Sequence, residues 1–282
     1  MNSIPVFYTP KMVADSKSAS PSAAKPAAVV ASWQKQFPIL VIEPVPVTLD
    51  EYARAHDRTF VTDILEGRRN NGFGNRSRAV AQSLPYTSGS MLSAARHVLL
   101  AEAPVAAAPC AGFHHATFDE AQGFCTFNGL MVTALALKEE GRVDRVGILD
   151  LDNHYGNGTD DIIGRAKAET WLSHFTGGEH FSEPSHAPEF FRQLPRILAA
   201  MAVCDIVLYQ AGADPHVNDP GGWLTTAQLR ERDAIVFDAF AANKIPIVWN
   251  LAGGYQVNRD GSIPKVLEIH DNTMRECVRA YL

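Results

Sequence analysis

The stretch Ile148-Leu149-Asp150-Leu151-Asp152-Asn153-His154-Tyr155-Gly156-Asn157-Gly158-Thr159 decides how the rest of the chain is read. It starts as an apolar run, the pattern of a strand covered on both faces in a parallel sheet. It then presents Asp150, Asp152 and His154 at alternate positions, and alternate positions on a strand point the same way. Extended backbone lasting as far as His154 would set Asp152 and His154 against one cation. The Gly-Asn-Gly turn lets the chain bend where strand becomes loop. In an open α/β sheet this carboxyl edge is where ligands bind. Taken alone, the stretch fits equally well a strand that ends in a polar turn, because Asp and Asn are common there.

Three further stretches repeat the arrangement. Gln210-Ala211-Gly212-Ala213-Asp214 follows the apolar run Ile206-Val207-Leu208, and Asp214 would complete an Asp-His-Asp set with Asp152 and His154. Three protein ligands with an open position suit a catalytic zinc; by itself, Asp214 could equally cap the turn at Pro215. His114 and His115 end the small apolar run 103–111, and a neutral imidazole beside an activated water is a natural general base. Leu251-Ala252-Gly253-Gly254-Tyr255 closes another apolar run with a phenol able to donate to a developing oxyanion.

Bulk properties agree with an ordinary soluble globular protein. The chain has 282 residues, 46% of them hydrophobic and 20% charged, enough for a large core without staples. A formal net charge of -6 argues against general nucleic-acid binding through phosphate contacts. Cys110, Cys125, Cys204 and Cys277 are scattered with no CxxC pair, as expected for buried free thiols. The start MNSIPVFYTPKM lacks the apolar core of a signal peptide, and no apolar run reaches the roughly 18 residues of a membrane span. The expected location is cytoplasmic.

Strands are expected at 38–47 (an edge strand, given its prolines), 103–111, 145–150, 169–174, 204–210 and 245–251. Helices are expected from Pro26, from the capping-box Thr48 to Glu66, and at 88–102, 127–140, 186–202, 225–243 and 263–281. Residues 15–31 read as a Ser/Ala/Pro-rich surface loop entering the first helix, and 67–77 as a mobile polar loop. The alternation predicts a single three-layer α/β domain over 1–282, with a central, mostly parallel sheet and helices on both faces.

Taken together, GFHHATFDEAQGFCTFN, ILDLDNHYGNGT, QAGADPHVNDPGG and LAGGY, in that order, resemble the histone deacetylase superfamily, zinc-dependent acyl-amide hydrolases with an arginase-like fold. The resemblance implies Zn2+ held by Asp152, His154 and Asp214. It implies that His115 is the general base and later acid, oriented by Asn157, and that His114 is held by Asp150 and tunes the site electrostatically. Asp150 would also help hold a structural K+. Tyr255 would bind the substrate carbonyl, Phe124 would wall the acyl-lysine tunnel, and Gly123, Gly253 and Gly254 would border the substrate. The implied reaction is amide hydrolysis by metal-activated water on an acyl-lysine peptide or an acylated small molecule such as an acetylated polyamine.

The departures from the family pattern concern the substrate grip. The early segment SPSAAKP (Ser20 to Pro26) lacks an arginine near the acetate exit. Asp219-Pro220-Gly221-Gly222 lacks a leucine that narrows the tunnel, so either the tunnel is wide or another side chain, such as Trp223, fills the gap. The loop from Asn70 to Arg78 holds no acid to grip a substrate backbone, and Trp171-Leu172-Ser173 is an unusual version of the segment completing the potassium site. Two rival readings remain: a binuclear manganese ureohydrolase of the same fold, which needs more bridging carboxylates than Asp150, Asp152 and Asp214 supply, and a non-catalytic binder of acylated amines.

Overall fold

The computed structural model describes residues 2–100 and 104–282. The short buried strand β1 (Ile4–Phe7) opens the chain, followed by α1 (Lys25–Gln36) and β2 (Ile39–Ile42). Next come α2 (Leu49–Tyr52), α3 (Arg58–Leu65), α4 (Arg78–Leu99), β3 (Val105–Ala108) and α5 (Gly129–Glu139). The second half alternates: β4 (Val146–Asp150), α6 (Asn157–Ala166), β5 (Leu172–Thr176), α7 (Ala187–Ala200), β6 (Ile206–Gln210), α8 (Thr226–Asn243), β7 (Ile247–Asn250) and α9 (Pro264–Tyr281).

The strands form one seven-stranded sheet in the order β2-β1-β3-β7-β6-β4-β5, with every pairing parallel. Alternate residues of each central strand enter opposite cores. Ile148, Leu208 and Ala106 pack on one face with α3, α4 and α5, while Leu149, Tyr209 and Ala107 pack on the other with α1, α7, α8 and α9. This double coverage is why the strands read as unbroken apolar runs. β2 lies at an edge, as its flanking prolines required.

Several expected boundaries move for identifiable reasons. β1 was not expected: four residues are too few to show a period, and its place is fixed by pairing with β2 and β3 and by packing of Ile4, Val6 and Phe7 into the two cores. α4 begins ten residues before Ser88, capped by Ser77, and contains Pro85. The Pro85 carbonyl accepts a bond from the Val47 N–H at 2.9 Å. The helical segments expected over 48–66 are two short helices, the first opened by the expected Thr48–Glu51 capping box. β5 lies at Leu172–Thr176 rather than 169–174, and α6 emerges from a Gly- and Asp-rich stretch with no helical signature. The loop 67–77 is fastened rather than loose: Gly72 N–H donates to Thr126 Oγ1 at 3.0 Å, and the Gly72 carbonyl accepts from Phe124 N–H at 3.1 Å. The junction of the expected helix 88–102 and strand 103–111 falls at 101–103, outside the described residues. All four cysteines are free and buried.

Candidate active site

β4 ends at Asp150, paired with Gln210 of β6 and Thr176 of β5. Extended geometry does not continue to His154. Instead the chain turns, and the turn is folded by its own acids: Asp150 Oδ1 accepts from the Asp152 N–H at 3.1 Å, and Asp152 Oδ1 from the His154 N–H at 3.0 Å. These local bonds replace the lost strand ladder. The result brings Asp152, His154 and, from the end of β6, Asp214 together, with one ligand atom from each within 4.8 Å of the others. Nδ1 of His154 stands 3.0 Å from Asp214 Oδ2 and 3.2 Å from Asp152 Oδ1.

Both carboxylates are buried, whereas the His154 side chain is 44% exposed, so the set is closed behind and open in front. Burial and the facing Asp152 carboxylate push Asp214 up to about 7. Two acids forced together in this way call for a cation, and an Asp-His-Asp donor set with an open side fits zinc. The end of β7 closes the back. Gly253 N–H donates to Asp152 Oδ2 at 2.8 Å, and a Cβ at Gly253 would fall 2.3 Å from Asp214 Oδ2, so only glycine allows this approach.

The tandem histidines hang over this set from the loop after β3. His114 is buried, its Nδ1 2.6 Å from Asp150 Oδ2. Burial opposes its charge, but the carboxylates of Asp150 and Asp152 prevail and push it up to about 9. His115 is held by a neutral partner, Nδ1 to Asn157 Oδ1 at 2.7 Å. Burial and the neighbouring His114 lower its pKa, so at neutral pH it is uncharged, with Nε2 free of a proton. The two rings lie 4.1 Å apart, and His115 is 5.7 Å from the ring of His154. A Cβ at Gly123 would meet the His115 ring at 2.4 Å, so this glycine makes room for the imidazole.

Tyr255 closes the fourth side, its backbone N–H bonded to Asp219 Oδ1 at 3.0 Å and its ring 5.6 Å from Phe124 and 6.5 Å from His154. Burial and the nearby Asp214 and Asp152 raise its pKa well above the ordinary value, which keeps the phenol a neutral donor. A cleft of about 470 Å³, bordered by Phe124, Pro220, Tyr255, His115 and His154, leads inward. It narrows to an inner pocket at Gly112, His114, Cys125, Asp152 and Gly253. Beyond it, sharing Ser22, Gly112, Phe124 and Cys125, lies a largely apolar chamber against α4 lined by Met12, Leu84 and Phe113. Gly254 borders neither the cleft nor the inner pocket; it backs onto Ala213 and Val266.

A profile of the histone deacetylase domain matches residues 22–189, more than half of the chain. The chain belongs to that family. It is 28% identical over 231 residues to an uncharacterised protein of Picosynechococcus sp., covering 72% of this chain and 74% of that one. It is 28% identical over 165 residues to histone deacetylase 2 of Arabidopsis thaliana, covering 51% of this chain and 42% of that protein, so the chain spans under half of the latter's length. Acetylpolyamine amidohydrolase 2 of Pseudomonas aeruginosa matches at 39% over 71 residues, 25% of this chain and 20% of that one. The fold resembles the HD domain of HDA15 (TM-score 0.80, 19% identity, 99% of this chain and 90% of that one). It also resembles acetylpolyamine aminohydrolase from Burkholderia pseudomallei (TM-score 0.72, 20% identity, 98% of each chain).

Sequence reasoning missed one wall of this deacetylase-family site. The Ser/Ala/Pro-rich stretch read as a surface loop wraps the cleft, with Ala19 and Ser20 at the mouth and Ser22 at the inner pocket. Within the same stretch, at the start of α1, Lys25 is 1% exposed and donates from Nζ to the carbonyls of Ala252 and Gly253 at 2.7 and 2.8 Å. Burial lowers its pKa to about 8 against the pull of Asp214, Asp152 and Asp219. The segment lacking an arginine thus places a lysine under the loop that carries Tyr255; a cation following PSAA was the available signal. The missing tunnel leucine is not replaced by Trp223, which is buried against Phe181 and Phe190. Pro220 borders the cleft there.

Proposed function

We propose that this chain is a zinc-dependent deacylase, removing an acyl group, acetyl in the first instance, from an amine such as acyl-lysine or an acetylated polyamine. Membership of the deacetylase family supports acyl-amine hydrolysis in general. The observation that carries the finer reading is the convergence of an Asp152-His154-Asp214 set, an uncharged His115 and a neutral Tyr255 on one cleft.

When bound by Asp152, His154 and Asp214, zinc would supply Lewis acidity toward the acyl carbonyl and make a water acidic enough to react near neutral pH. His115 takes the proton of the attacking water on Nε2, with Asn157 fixing its tautomer through Nδ1. Tyr255 donates its phenolic hydrogen to the carbonyl oxygen as negative charge develops there. His115 then returns the proton to the departing amine. His114, charged and bonded to Asp150, places positive charge beneath the reacting centre without changing protonation state. Phe124 and Tyr255 flank the stem of the substrate and exclude water.

The cluster of Asp152, His154 and Asp214 is the one metal-competent group among the described residues, which favours a one-ion centre over a binuclear manganese site. Among the described residues no helix is long and apolar enough to cross a membrane. Turnover of a fluorogenic acetyl-lysine peptide and of an acetylated polyamine, with metal content measured before and after chelation, tests the reading. One zinc per chain and chelator-sensitive release of acetate are expected. Tight binding of the acylated amine without turnover would make the protein a binder, and two manganese ions per chain would make it a ureohydrolase relative.

A further inference from the structure

Beneath the ligand set lies a buried ion pair that the chemistry above leaves unused. α8 carries Arg232 and Asp233, 0% and 1% exposed. Nε of Arg232 donates to Asp233 Oδ1 at 2.8 Å, and Asp233 also accepts from the hydroxyls of Tyr209 and Thr273. The acid is therefore fully satisfied. From the other side of the guanidinium, Nη1 donates to the carbonyls of Leu151 at 3.1 Å and Gly212 at 2.9 Å.

These two carbonyls sit just where the sheet gives out. The last rung between β4 and β6 pairs Asp150 with Gln210, and one more backbone bond, Leu151 N–H to Gln210 O, follows it. Past that point no backbone bond joins the two chains, Leu151 leading directly to Asp152 and Gly212 lying two residues before Asp214. A buried carbonyl beyond the end of a ladder needs a donor. Here a single nitrogen serves both strands.

We propose that Arg232 is a positioning residue for the metal centre: by holding the Leu151 and Gly212 carbonyls on one nitrogen, it fixes the spacing between the turns bearing Asp152 and Asp214. The inference rests on the metal reading of Asp152, His154 and Asp214. The planar guanidinium is suited to the task because it grips Asp233 with one nitrogen and two carbonyls with another, which a lysine ammonium cannot do from one position. Stability alone is a poor reason for the pair. Apolar replacement of a buried ion pair is often neutral or stabilising, and Nη2 of Arg232 has no partner among the described residues.

The test uses Arg232→Met/Asp233→Asn, which removes the fork without stranding a buried carboxylate, together with Arg232→Lys. Zn2+ affinity of the metal-free proteins is measured by competition with a chromophoric chelator, alongside thermal melting and the visible spectrum of the Co2+ form. The double variant is expected to fold and to bind Zn2+ about 10- to 100-fold more weakly, the size typical of losing a partner that orients ligands. Arg232→Lys should recover part of that loss. A folded double variant binding Zn2+ as tightly as the parent, with an unchanged Co2+ spectrum, overturns the proposal. If the double variant does not fold, parental affinity in Arg232→Lys overturns it and weakened affinity supports it. Failure of the parent itself to bind Zn2+ overturns the metal reading and the role of Arg232 with it, an outcome distinct from a tight-binding parent and an equally tight-binding variant.

Discussion

His115 and Asn157 meet through Nδ1 and Oδ1 at 2.7 Å, so the base proposed here leans on a neutral amide, while its neighbour His114 leans on the carboxylate of Asp150 at 2.6 Å. The two imidazoles take opposite charge states: Asp150 and Asp152 push His114 up to about 9 against its burial, while burial and the charge of His114 hold His115 below its ordinary value despite the Asn157 bond. His115→Ala should lower kcat by about 10²- to 10⁴-fold, the usual worth of a positioned proton acceptor. His114→Ala should cost less, because it changes field and orientation only. Steady-state kinetics on both metal-loaded variants decide it, and equal losses would refute the division of labour.

Replacing the amide by an acid tests the same contact. Asn157→Asp puts a carboxylate against Nδ1, which favours the charged imidazole and raises the His115 pKa. A base is active only when unprotonated, so the acid limb of the kcat/KM profile should move to higher pH. A profile superimposable on that of the parent would place the titrating base elsewhere.

Asp214→Ala should abolish tight zinc binding and activity while leaving the far-UV spectrum unchanged, since it removes one of the three proposed ligands and with it a carboxylate that burial and the facing Asp152 push up to about 7. Gly253→Ala, whose methyl would lie 2.3 Å from Asp214 Oδ2, should show the same pattern more weakly. Stoichiometric zinc in purified Asp214→Ala would reduce Asp214 to a turn residue.

Acyl preference follows from two features of the cleft. Trp223 is committed to Phe181 and Phe190, so its indole does not replace the contact a leucine would make with a slim substrate stem, worth about 1.5–3 kcal/mol when fully buried. The apolar chamber lined by Met12, Leu84 and Phe113 adjoins the inner pocket. Acyl groups longer than acetyl should therefore retain or exceed the acetyl kcat/KM. A steep fall from acetyl to every longer chain would contradict this.

Acid should weaken the fold through His56. Its Nδ1 stands 2.9 Å from the Thr117 carbonyl, and its Nε2 accepts from the Asn128 N–H at 2.8 Å, so the neutral ring uses both nitrogens. Burial lowers its pKa from 6.5 to about 4. Between those values the unfolded chain takes up a proton that the folded chain refuses. The stabilisation is therefore complete above pH 6.5 and is lost as the pH falls toward 4, by about 3 kcal/mol. Urea melts across this range should be steeper in pH for the parent than for His56→Gln; identical slopes would rule His56 out.

The apolar runs of β4, β6 and β7 and the polar residues that end them were legible in the sequence, because strands covered on both faces are apolar at every position and ligand residues cluster at one edge of such a sheet. The sequence also carried the order of motifs from His114 to Tyr255, and with it the deacetylase resemblance. It could not bring Asp152, His154 and Asp214 to one point, because β4 stops at Asp150 and their approach depends on how two strand ends turn past each other. Composition made residues 15–31 look like a surface loop, since short polar side chains bonded to one another, as Ser20 is to Ser22, satisfy themselves as readily in a wall as in water. Lys25 and Arg232 belong to the same class. Each is a charged residue on the apolar stripe of its helix, and each is accommodated there because backbone carbonyls distant in sequence, 227 residues away for Lys25 and Ala252, needed a donor that only the packed sheet edge could bring within reach.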